Sequence, residues 1–268
     1  MPDLEDKIRS WLDEQGYPLE MRVARAFRQV GFRVFQSDYY RDPQTNNERE
    51  IDVVAYADIR IDDLLLRVQF IVECKSARSK PWLVFCSPDV RLAPPARVAQ
   101  RTASKAGSLA LGKLAQRKDI QALNLFHIPD APAYAATQAF TTGSDVVYTA
   151  LTGLGAAASA KAKEADEYVR RGNRFCIILF PLVVIEGRLF SCVLADDAGI
   201  TIAEAKQATL IWRNPVAREP HTIVNILTDP ILQAFASASK QTVDDFFALV
   251  AQSREVFDQA GIVPRSLR

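Results

Sequence analysis

The chain has 268 residues, of which 49% are hydrophobic and 24% are charged, and its formal net charge is +1. This composition is ordinary for a folded protein and argues against wholesale disorder. A chain of this length can bury a sizeable core, and α/β enzymes of this size often form one decorated domain.

The N-terminal stretch MPDLEDKIRSWLDEQ is acidic and has no apolar h-region, and no segment reaches the roughly 18 uninterrupted apolar residues of a membrane span. Secretion and membrane insertion are therefore not expected. The four cysteines are scattered and form no CxxC pair. We expect reduced, buried thiols in a cytoplasmic protein, and no zinc site because His127 and His221 lie far from any close cysteine pair.

Two helices are predicted at the start of the chain. The first covers Leu4 to Gln15 and stops at Gly16, and the second begins near Pro18 and ends before Gly31. Glu20 lies in the first turn of the second helix, where an acidic residue is favoured by the helix dipole. An ordinary structural role for Glu20 therefore remains open beside a functional one.

Three strands are predicted next. The first is FRVFQSDYY, the second is Arg49 to Ala57, and the third is Leu65 to Lys75. Short polar links join them, so they are expected to form an antiparallel meander.

Residues 1–130 are expected to form the core of the fold, and residues 131–268 an elaboration packed on the same domain. The elements predicted after the third strand are a loop from Pro81 to Pro95 that includes WLVFC, a helical stretch from Ala96 to Lys118, a strand at ALNLFHI, two alanine-rich helices between Tyr134 and Arg171, a strand–turn–strand unit RFCIILFPLVVI-EGR-LFSCVLA, two strands at ATLIWRN and HTIVNIL, and one or two helices from Pro230 to Gly261.

The third strand ends in an acid and an amine. Side chains alternate along a strand, so Glu73 and Lys75 point the same way while Val72 and Cys74 point the other. The pattern acid-x-Lys is weak alone, and it occurs three times in this chain, at Glu5/Lys7, Glu73/Lys75 and Glu204/Lys206. Only Glu73 and Lys75 end an apolar strand that follows another strand with a carboxylate.

That second carboxylate is Asp52, which interrupts the apolar run IDVVAYA. Burying an unpaired carboxylate is costly, so an Asp at this position needs a reason. Asp52 and Glu73 can supply hard oxygen ligands for Mg²⁺ or its substitute Mn²⁺, with the backbone carbonyl of Cys74 as a further ligand. Lys75 can orient or deprotonate a water and offset charge on a phosphate. A structural salt bridge of Asp52 and a plain Glu73–Lys75 ion pair are the alternatives.

A helix with Glu20, a strand, IDVVAYA with Asp52, and IVECK with Glu73 and Lys75 together resemble the PD-(D/E)xK nuclease superfamily, whose fold is the restriction-endonuclease-like fold. The resemblance covers Pro18 to about Lys118. It implies an αβββαβ core with a mixed central sheet flanked by helices, Mg²⁺-dependent phosphodiester hydrolysis, and a catalytic role for Glu20 beside the metal. The chain departs from the family motif at Ile51, where the motif has proline.

The segment from Lys75 to Lys118 contains ten basic residues and one acidic residue, Asp89, which gives a formal charge of +9. Such a run is either a solvated face or a phosphate-binding surface. The residues predicted to contact nucleic acid are Ser76, Arg78, Lys80, Arg97 and Arg101.

The sequence therefore predicts a metal-dependent nuclease, with DNA favoured over RNA and a role in restriction, phage defence, repair or mobile-element processing. A homodimer would let two sites cut both strands, although no interface is readable. The alternatives are a catalytically silent nuclease-fold module that binds nucleic acid or a protein, and an unrelated α/β protein with accidental spacing. Substrate preference and endo or exo action are not encoded in any recognisable motif.

Overall fold

A computed structural model describes residues 3–43, 45–143, 145–195, 199–213 and 221–253. Within these residues the fold is a large mixed β-sheet flanked by helices, which confirms the α/β prediction. The strands of the described chain are Arg33–Arg41 (β1), Glu48–Ile61 (β2), Leu64–Cys86 (β3), Thr102–Ala103 (β4), Ala133–Gln138 (β5), Phe175–Leu194 (β6), Ile200–Ala205 (β7), Gln207–Trp212 (β8) and Thr222–Thr228 (β9). The α-helices are Leu4–Gln15 (α1), Tyr17–Gln29 (α2), Pro94–Ala99 (α3), Lys105–Leu114 (α4), Lys118–Gln121 (α5), Val146–Arg170 (α6) and Leu232–Ala251 (α7). None of these helices is both long and apolar enough to cross a lipid bilayer.

The two predicted N-terminal helices are confirmed. The carboxylate of Asp3 caps α1 by accepting a hydrogen bond from the Leu4 N–H at 2.7 Å. Gly16 ends α1 with φ of 83°, a left-handed conformation that glycine adopts without a steric penalty. The chain then turns directly into α2, whose buried face includes Leu19, Val23 and Phe27.

The predicted antiparallel meander is also confirmed. β1 pairs with β2, and β2 pairs with β3, both antiparallel. The pairing between β2 and β3 runs from Ile61↔Leu64 to Val53↔Val72, and it does not extend to Asp52. The two strands therefore begin to separate where the predicted site starts.

The two longest strands, β3 and β6, lie side by side in parallel. Their register places Phe70 opposite Phe180 and Ser76 opposite Glu186, and it is interrupted between Ala77 and Trp82. Beyond the interruption β3 also pairs with β5, and the pairings β3–β5–β8–β9–β6 lead back to β3 as a closed circuit. Strands from both halves of the chain thus share one sheet.

A hydrophobic cluster lies on each face of the sheet. One cluster packs α2, α4 and α7 against the sheet and includes Phe27, Leu111 and Phe246. The other packs the alanine-rich helix α6 against the opposite face and includes Leu151 and Leu154. This two-sided burial keeps the central strands in place, because each face of the sheet loses its contact with water.

Two predictions from the sequence are wrong, one of a strand and one of a loop. The stretch Ala122–Ile128 is not a strand: it contains a 3-10 turn over Asn124–Phe126, and a short apolar run of this kind does not distinguish strand from other buried structure. The segment WLVFC is not in a loop, because β3 continues through it to Cys86. Pro81 is tolerated there since it falls within the interruption of the β3–β6 register.

Two predicted breaks are also absent. Gly153 and Gly155 do not divide the alanine-rich stretch, since α6 runs unbroken through them, and the start of that stretch forms β5 instead. Gly187 does not form a turn either, because β6 is one continuous strand. A Cβ atom at Gly187 would lie 2.6 Å from the Ala77 carbonyl carbon, so glycine is required there for close approach of two backbones.

The predictions for the end of the chain are confirmed. The two strands predicted after residue 200 are β8 and β9. The predicted C-terminal helix is α7 as far as Ala251, and residues 254–261 of that prediction lie outside the described residues.

We expect Gly187→Ala to lower the free energy of unfolding by about 1 to 3 kcal/mol, because the new methyl group would overlap the backbone of β3. Urea unfolding curves would measure the change. The matched control is Gly112→Ala in α4, where a Cβ meets no atom within 4 Å and the change is expected to be neutral or stabilising. Equal stability of Gly187→Ala and the unmodified protein would contradict the close approach of β3 and β6.

Candidate active site

Glu73 and Lys75 lie on the same side of β3, as the strand alternation predicts. Lys75 Nζ lies 2.5 Å from Glu73 Oε1, and the side chains are 28% and 19% exposed for Lys75 and Glu73 respectively. The adjacent residues Val72 and Cys74 contribute instead to the hydrophobic cluster beneath α2. The pair is therefore half-buried at the place where β2 and β3 separate.

Asp52 bridges the gap between the two separating strands. Its Oδ2 accepts a hydrogen bond from the backbone N–H of Cys74 at 2.7 Å. Burial raises the pKa of Asp52, and this hydrogen bond and the charge of Lys75 oppose the rise without cancelling it. The carboxylate is thus fixed beside the Glu73–Lys75 pair at an electrostatic cost.

Glu20 joins this group from α2. Burial and the carboxylates of Asp52 and Glu50 raise the pKa of Glu20 from 4.5 to about 7, and the smaller effect of Lys75 acts in the opposite direction. One charge shifts the pKa of another group in this way only when the two groups lie in the same neighbourhood. The structure therefore brings together all four residues that the sequence singled out: Glu20, Asp52, Glu73 and Lys75. Glu50 is a fifth charged neighbour that sequence reasoning did not select.

Negative charge exceeds positive charge in this cluster. Burial and the Asp52 carboxylate raise the pKa of Glu73 even though Lys75 donates a hydrogen bond to it. Burial alone would lower the pKa of Lys75, but the charge and hydrogen bond of Glu73 raise it instead. Lys75 is consequently a stable cation, and the low pKa that a lysine general base would need is not present in this structure.

The donor set suits a hard divalent cation. Asp52 and Glu73 offer carboxylate oxygens, the Cys74 carbonyl lies between Glu73 and Lys75 in sequence, and the surplus negative charge favours a cation at this position. Within the described ranges, no group of three or more His, Cys, Asp or Glu side chains is already arranged as a metal cage. Mg²⁺ keeps several of its waters and needs few protein ligands, so two carboxylates and a carbonyl fit its requirements.

A small cleft reaches Glu73 from the side of α6. Its volume is about 110 Å³, and its walls include Tyr40, Glu50, Glu73 and Gly153. The hydroxyl group of Tyr40 donates a hydrogen bond to the Gly153 carbonyl at 3.2 Å, which ties β1 to α6 at the edge of the cleft. The glycine that was expected to break the helix therefore lies beside the acidic cluster.

Two arginines next to the cluster share one carboxylate. Arg22 of α2 donates to Glu186 Oε1 and Arg78 donates to Glu186 Oε2, both at 2.8 Å. Arg22 also lies 3.1 Å from Asp229. Glu186 was expected to belong to a turn. The nearest sequence signal is the spacing of Glu20 and Arg22 on one helix, which alone does not indicate a partner.

The predicted nucleic-acid contacts differ in accessibility. Ser76 and Arg78 are exposed and Lys80 is half-buried, and all three lie within β3, after Lys75. The Nε of Arg97 donates a hydrogen bond to the Leu92 carbonyl at 2.9 Å.

Arg101 is only 3% exposed, and burial lowers its pKa to about 9. Its guanidinium lies over the rings of Phe126 and Phe180. In this conformation Arg101 cannot touch a phosphate backbone.

All four cysteines are free thiols, and Cys176 and Cys192 are buried while Cys74 and Cys86 are half-buried. Burial raises the pKa of Cys74 well above its usual range, and the surrounding carboxylates act in the same direction. The Cys74 thiol is therefore a poor nucleophile, and only its backbone belongs to the site.

Neither family models nor the curated proteins and solved structures that were searched gave a match to this chain. The interpretation of the site therefore depends on its own geometry and chemistry.

In metal-free buffer we expect Glu20→Gln to stabilise the protein at pH 8 relative to the unmodified chain, and to have little effect near pH 4. The folded protein holds a proton on Glu20 up to about pH 7, whereas the unfolded chain releases it near 4.5. The stability that this proton contributes is present below pH 4.5 and is lost as the pH rises through 7. The expected gain at pH 8 is about 1 to 2 kcal/mol, which allows for solvent screening of a partly buried group.

Thermal and urea unfolding with EDTA at several pH values would measure this difference. Glu167→Gln is the matched control, because Glu167 is an exposed residue of α6. A Glu20→Gln difference that does not change with pH would show that Glu20 does not belong to the acidic cluster.

Proposed function

We propose that this chain is a metal-dependent nuclease that hydrolyses phosphodiester bonds, with DNA as the favoured substrate. The observation that carries the proposal is the convergence of Glu20, Asp52, Glu73 and Lys75 at the point where β2 and β3 separate. Phosphodiesters resist attack because their negative charge repels nucleophiles. A site for them must therefore combine cation-binding oxygens with a positively charged group.

Each residue has a distinct role in this proposal. Asp52, Glu73 and the Cys74 carbonyl would hold Mg²⁺, or Mn²⁺ in its place. When bound, such an ion supplies positive charge at the phosphate and makes a coordinated water more acidic. Lys75 remains charged because of its contact with Glu73, so it orients the attacking water and stabilises negative charge that develops on the phosphate. Glu20 has a pKa near neutrality, so its carboxylate can accept a proton from that water at physiological pH.

The order of elements supports a likeness to the PD-(D/E)xK superfamily. The chain follows the order αβββαβ through α2, β1, β2, β3, the helices after β3, and β6, with the short strands β4 and β5 inserted before β6. The closing strand β6 pairs in parallel with β3, and it lies much later in the chain than the strand that was predicted at Ala122. The absence of proline at Ile51 and the long insertion before β6 are departures from the simple motif. Residues 131–268 contribute β5 and β6 to the central sheet, so the proposed nuclease core would extend beyond residue 130.

Positive charge beside the cluster supports a polyanionic substrate. Arg22 and Arg78 border the acidic cluster, and both are partly exposed while they contact Glu186. A phosphate group that approached the site would compete with the Glu186 carboxylate for these two guanidinium groups. A cytoplasmic location and a homodimer remain predictions.

The second candidate is a nuclease-fold module that binds nucleic acid or a protein without cleavage. The close contact between Lys75 and Glu73 favours the binding module, because a lysine whose charge is offset by a carboxylate is a weaker partner for a phosphate. The additional burial of Asp52 and Glu20 favours the enzyme, since a binding module gains nothing from these charges.

We expect Mg²⁺- or Mn²⁺-dependent cleavage by the purified protein, and a loss of about 100-fold or more in Asp52→Asn and in Lys75→Ala, because each removes charge that acts on the reacting phosphate. The assay would compare plasmid, linear duplex, modified DNA, single-stranded DNA and RNA, each with metal and with EDTA. Lys7→Ala, an exposed lysine of the acid-x-Lys pattern in α1, is the control and should cleave normally.

Cleavage that survives both substitutions would move the active site elsewhere. Binding of nucleic acid by the unmodified protein with no turnover on any substrate would support the binding module. The absence of both binding and cleavage, together with no Mn²⁺ binding by calorimetry, would refute the phosphodiester proposal.

We also expect Arg22→Ala and Arg78→Ala to weaken duplex DNA binding and to reduce its dependence on salt. The loss of one phosphate contact lowers the slope of log affinity against log salt concentration by about 0.9. KM should rise more than kcat falls, since these residues hold the substrate without touching the reacting atoms.

Fluorescence anisotropy with EDTA would measure this binding separately from cleavage. Arg188→Ala is the matched control: Arg188 is an exposed arginine of β6 that forms an ion pair with Glu204. An unchanged salt slope in both variants would show that neither arginine contacts the nucleic acid.

A further inference from the structure

A cavity of about 730 Å³ lies between β8, β9 and α7. It is separate from the cleft at Glu73, and none of the four residues of the acidic cluster lines it. Cavities of roughly 300 to 1,000 Å³ are the size that small organic ligands occupy in proteins. The cavity is therefore large enough for a ligand of its own.

One part of the cavity wall is apolar and aromatic. Phe70 of β3 and Phe180 of β6 are buried neighbours in the sheet, and their ring centroids are 5.5 Å apart. Phe235 of α7 packs edge-to-face on Phe70 at 6.2 Å. Leu125 and Leu227 complete this apolar part of the wall. Such a surface favours a ligand with a hydrocarbon or aromatic body.

The titratable side chains on the described part of the cavity wall are basic. Lys206 and His127 line the cavity from exposed positions, and no Asp or Glu is among the described residues that line it. Lys206 forms no ion pair with a described residue. An ammonium group without a protein carboxylate beside it favours an anionic ligand group.

A hydrogen-bond donor lines the same cavity as Lys206. The hydroxyl group of Thr209 donates to Asn225 Oδ1 at 3.2 Å, and both side chains line the cavity. Because the amide oxygen of Asn225 accepts this hydrogen bond, its amide nitrogen remains available as a donor, and it has no other partner among the described residues. A carboxylate is an acceptor that suits this donor.

A buried positive charge lies behind the aromatic wall. The guanidinium carbon of Arg101 is 5.3 Å from the centroid of Phe180, and its side chain has no carboxylate partner in the described part of the chain. Its Nη1 has no hydrogen-bond partner there either. A charge in a low-dielectric interior acts over a longer distance than one in water, so Arg101 makes the cavity more attractive to an anion.

We propose that this cavity binds a small amphipathic organic anion, with its apolar body against Phe70, Phe180 and Phe235 and a carboxylate-type head group at Lys206 and Asn225. The site is independent of the proposed nuclease activity.

Isothermal titration calorimetry with decanoate tests the proposal, alongside decanol and decyltrimethylammonium, all below their aggregation concentrations. We expect decanoate to bind with a stoichiometry of one and about tenfold or more tightly than the cationic compound, because the lining carries positive charge alone. Lys206→Glu should weaken decanoate about fivefold to tenfold without weakening decanol. Lys7→Glu, on α1, is the control for the change in net charge and should have no effect.

A substitution that fills the cavity provides a second test of the proposal. Ala238 lines the cavity, and the adjacent Ser237 does not. Ala238→Trp should abolish decanoate binding, and Ser237→Trp should not, since it places the same side chain on the same helix outside the cavity. If Ala238→Trp fails to fold, Ala234→Phe fills the same space from one turn earlier in α7.

Equal affinity for the anionic and cationic compounds would overturn the proposal, since it would indicate nonspecific apolar binding. Decanoate binding that is unchanged by a folded Ala238→Trp or Ala234→Phe would overturn it as well. An absence of decanoate binding by the unmodified protein would have the same consequence.

Discussion

The parallel pairing of β3 with β6 is the constraint on which the rest of the structure depends. The register of these two strands places Phe70 beside Phe180, and the two rings form part of the aromatic wall of the large cavity. A few residues further on, the same register places Ser76 beside Glu186, which holds two arginines next to the acidic cluster. Because side chains alternate strictly along both strands, a shift of one residue would move the aromatic pair and the charged groups to the opposite faces together. The backbone contact at Gly187 fixes that register.

The acidic cluster exists because β2 and β3 stop pairing at this level. In a continuous ladder the N–H of Cys74 would have a backbone partner, but here it donates to the Asp52 side chain. The separation leaves room for Glu20 to approach from α2 and for Glu73 to face the cleft below α6. The break in the β2–β3 pairing and the assembly of the charges therefore occur at the same place.

The sequence predicts this region well because its signals are local. The stop at Gly16 and the alternation along the three strands each depend on a few adjacent residues. The two helices and the three strands are present, although β3 continues past Lys75 to Cys86. The errors concern elements whose structure is decided by distant partners. Gly187 has the sequence signal of a turn, but its neighbour is Ala77 of β3, and Gly153 has the signal of a helix break, but it packs against Tyr40. The Glu186 contacts and the Thr209–Asn225 pair join residues far apart in the chain, so no local pattern indicates them.

The balance of charge in the cluster is the physical basis of the proposed function. A plain ion pair would need Glu73 and Lys75 alone, and the two would then neutralise each other. The structure adds Asp52 and Glu20 to the same half-buried place. Burial raises the pKa of both, and neighbouring carboxylates add to the rise, Asp52 for Glu20 and Glu50 for Asp52. A protein that only needed to fold would be more stable with neutral residues at these two positions, because buried like charges oppose folding. The proposed divalent cation would offset this surplus negative charge, and carboxylate oxygens are ligands that suit such an ion.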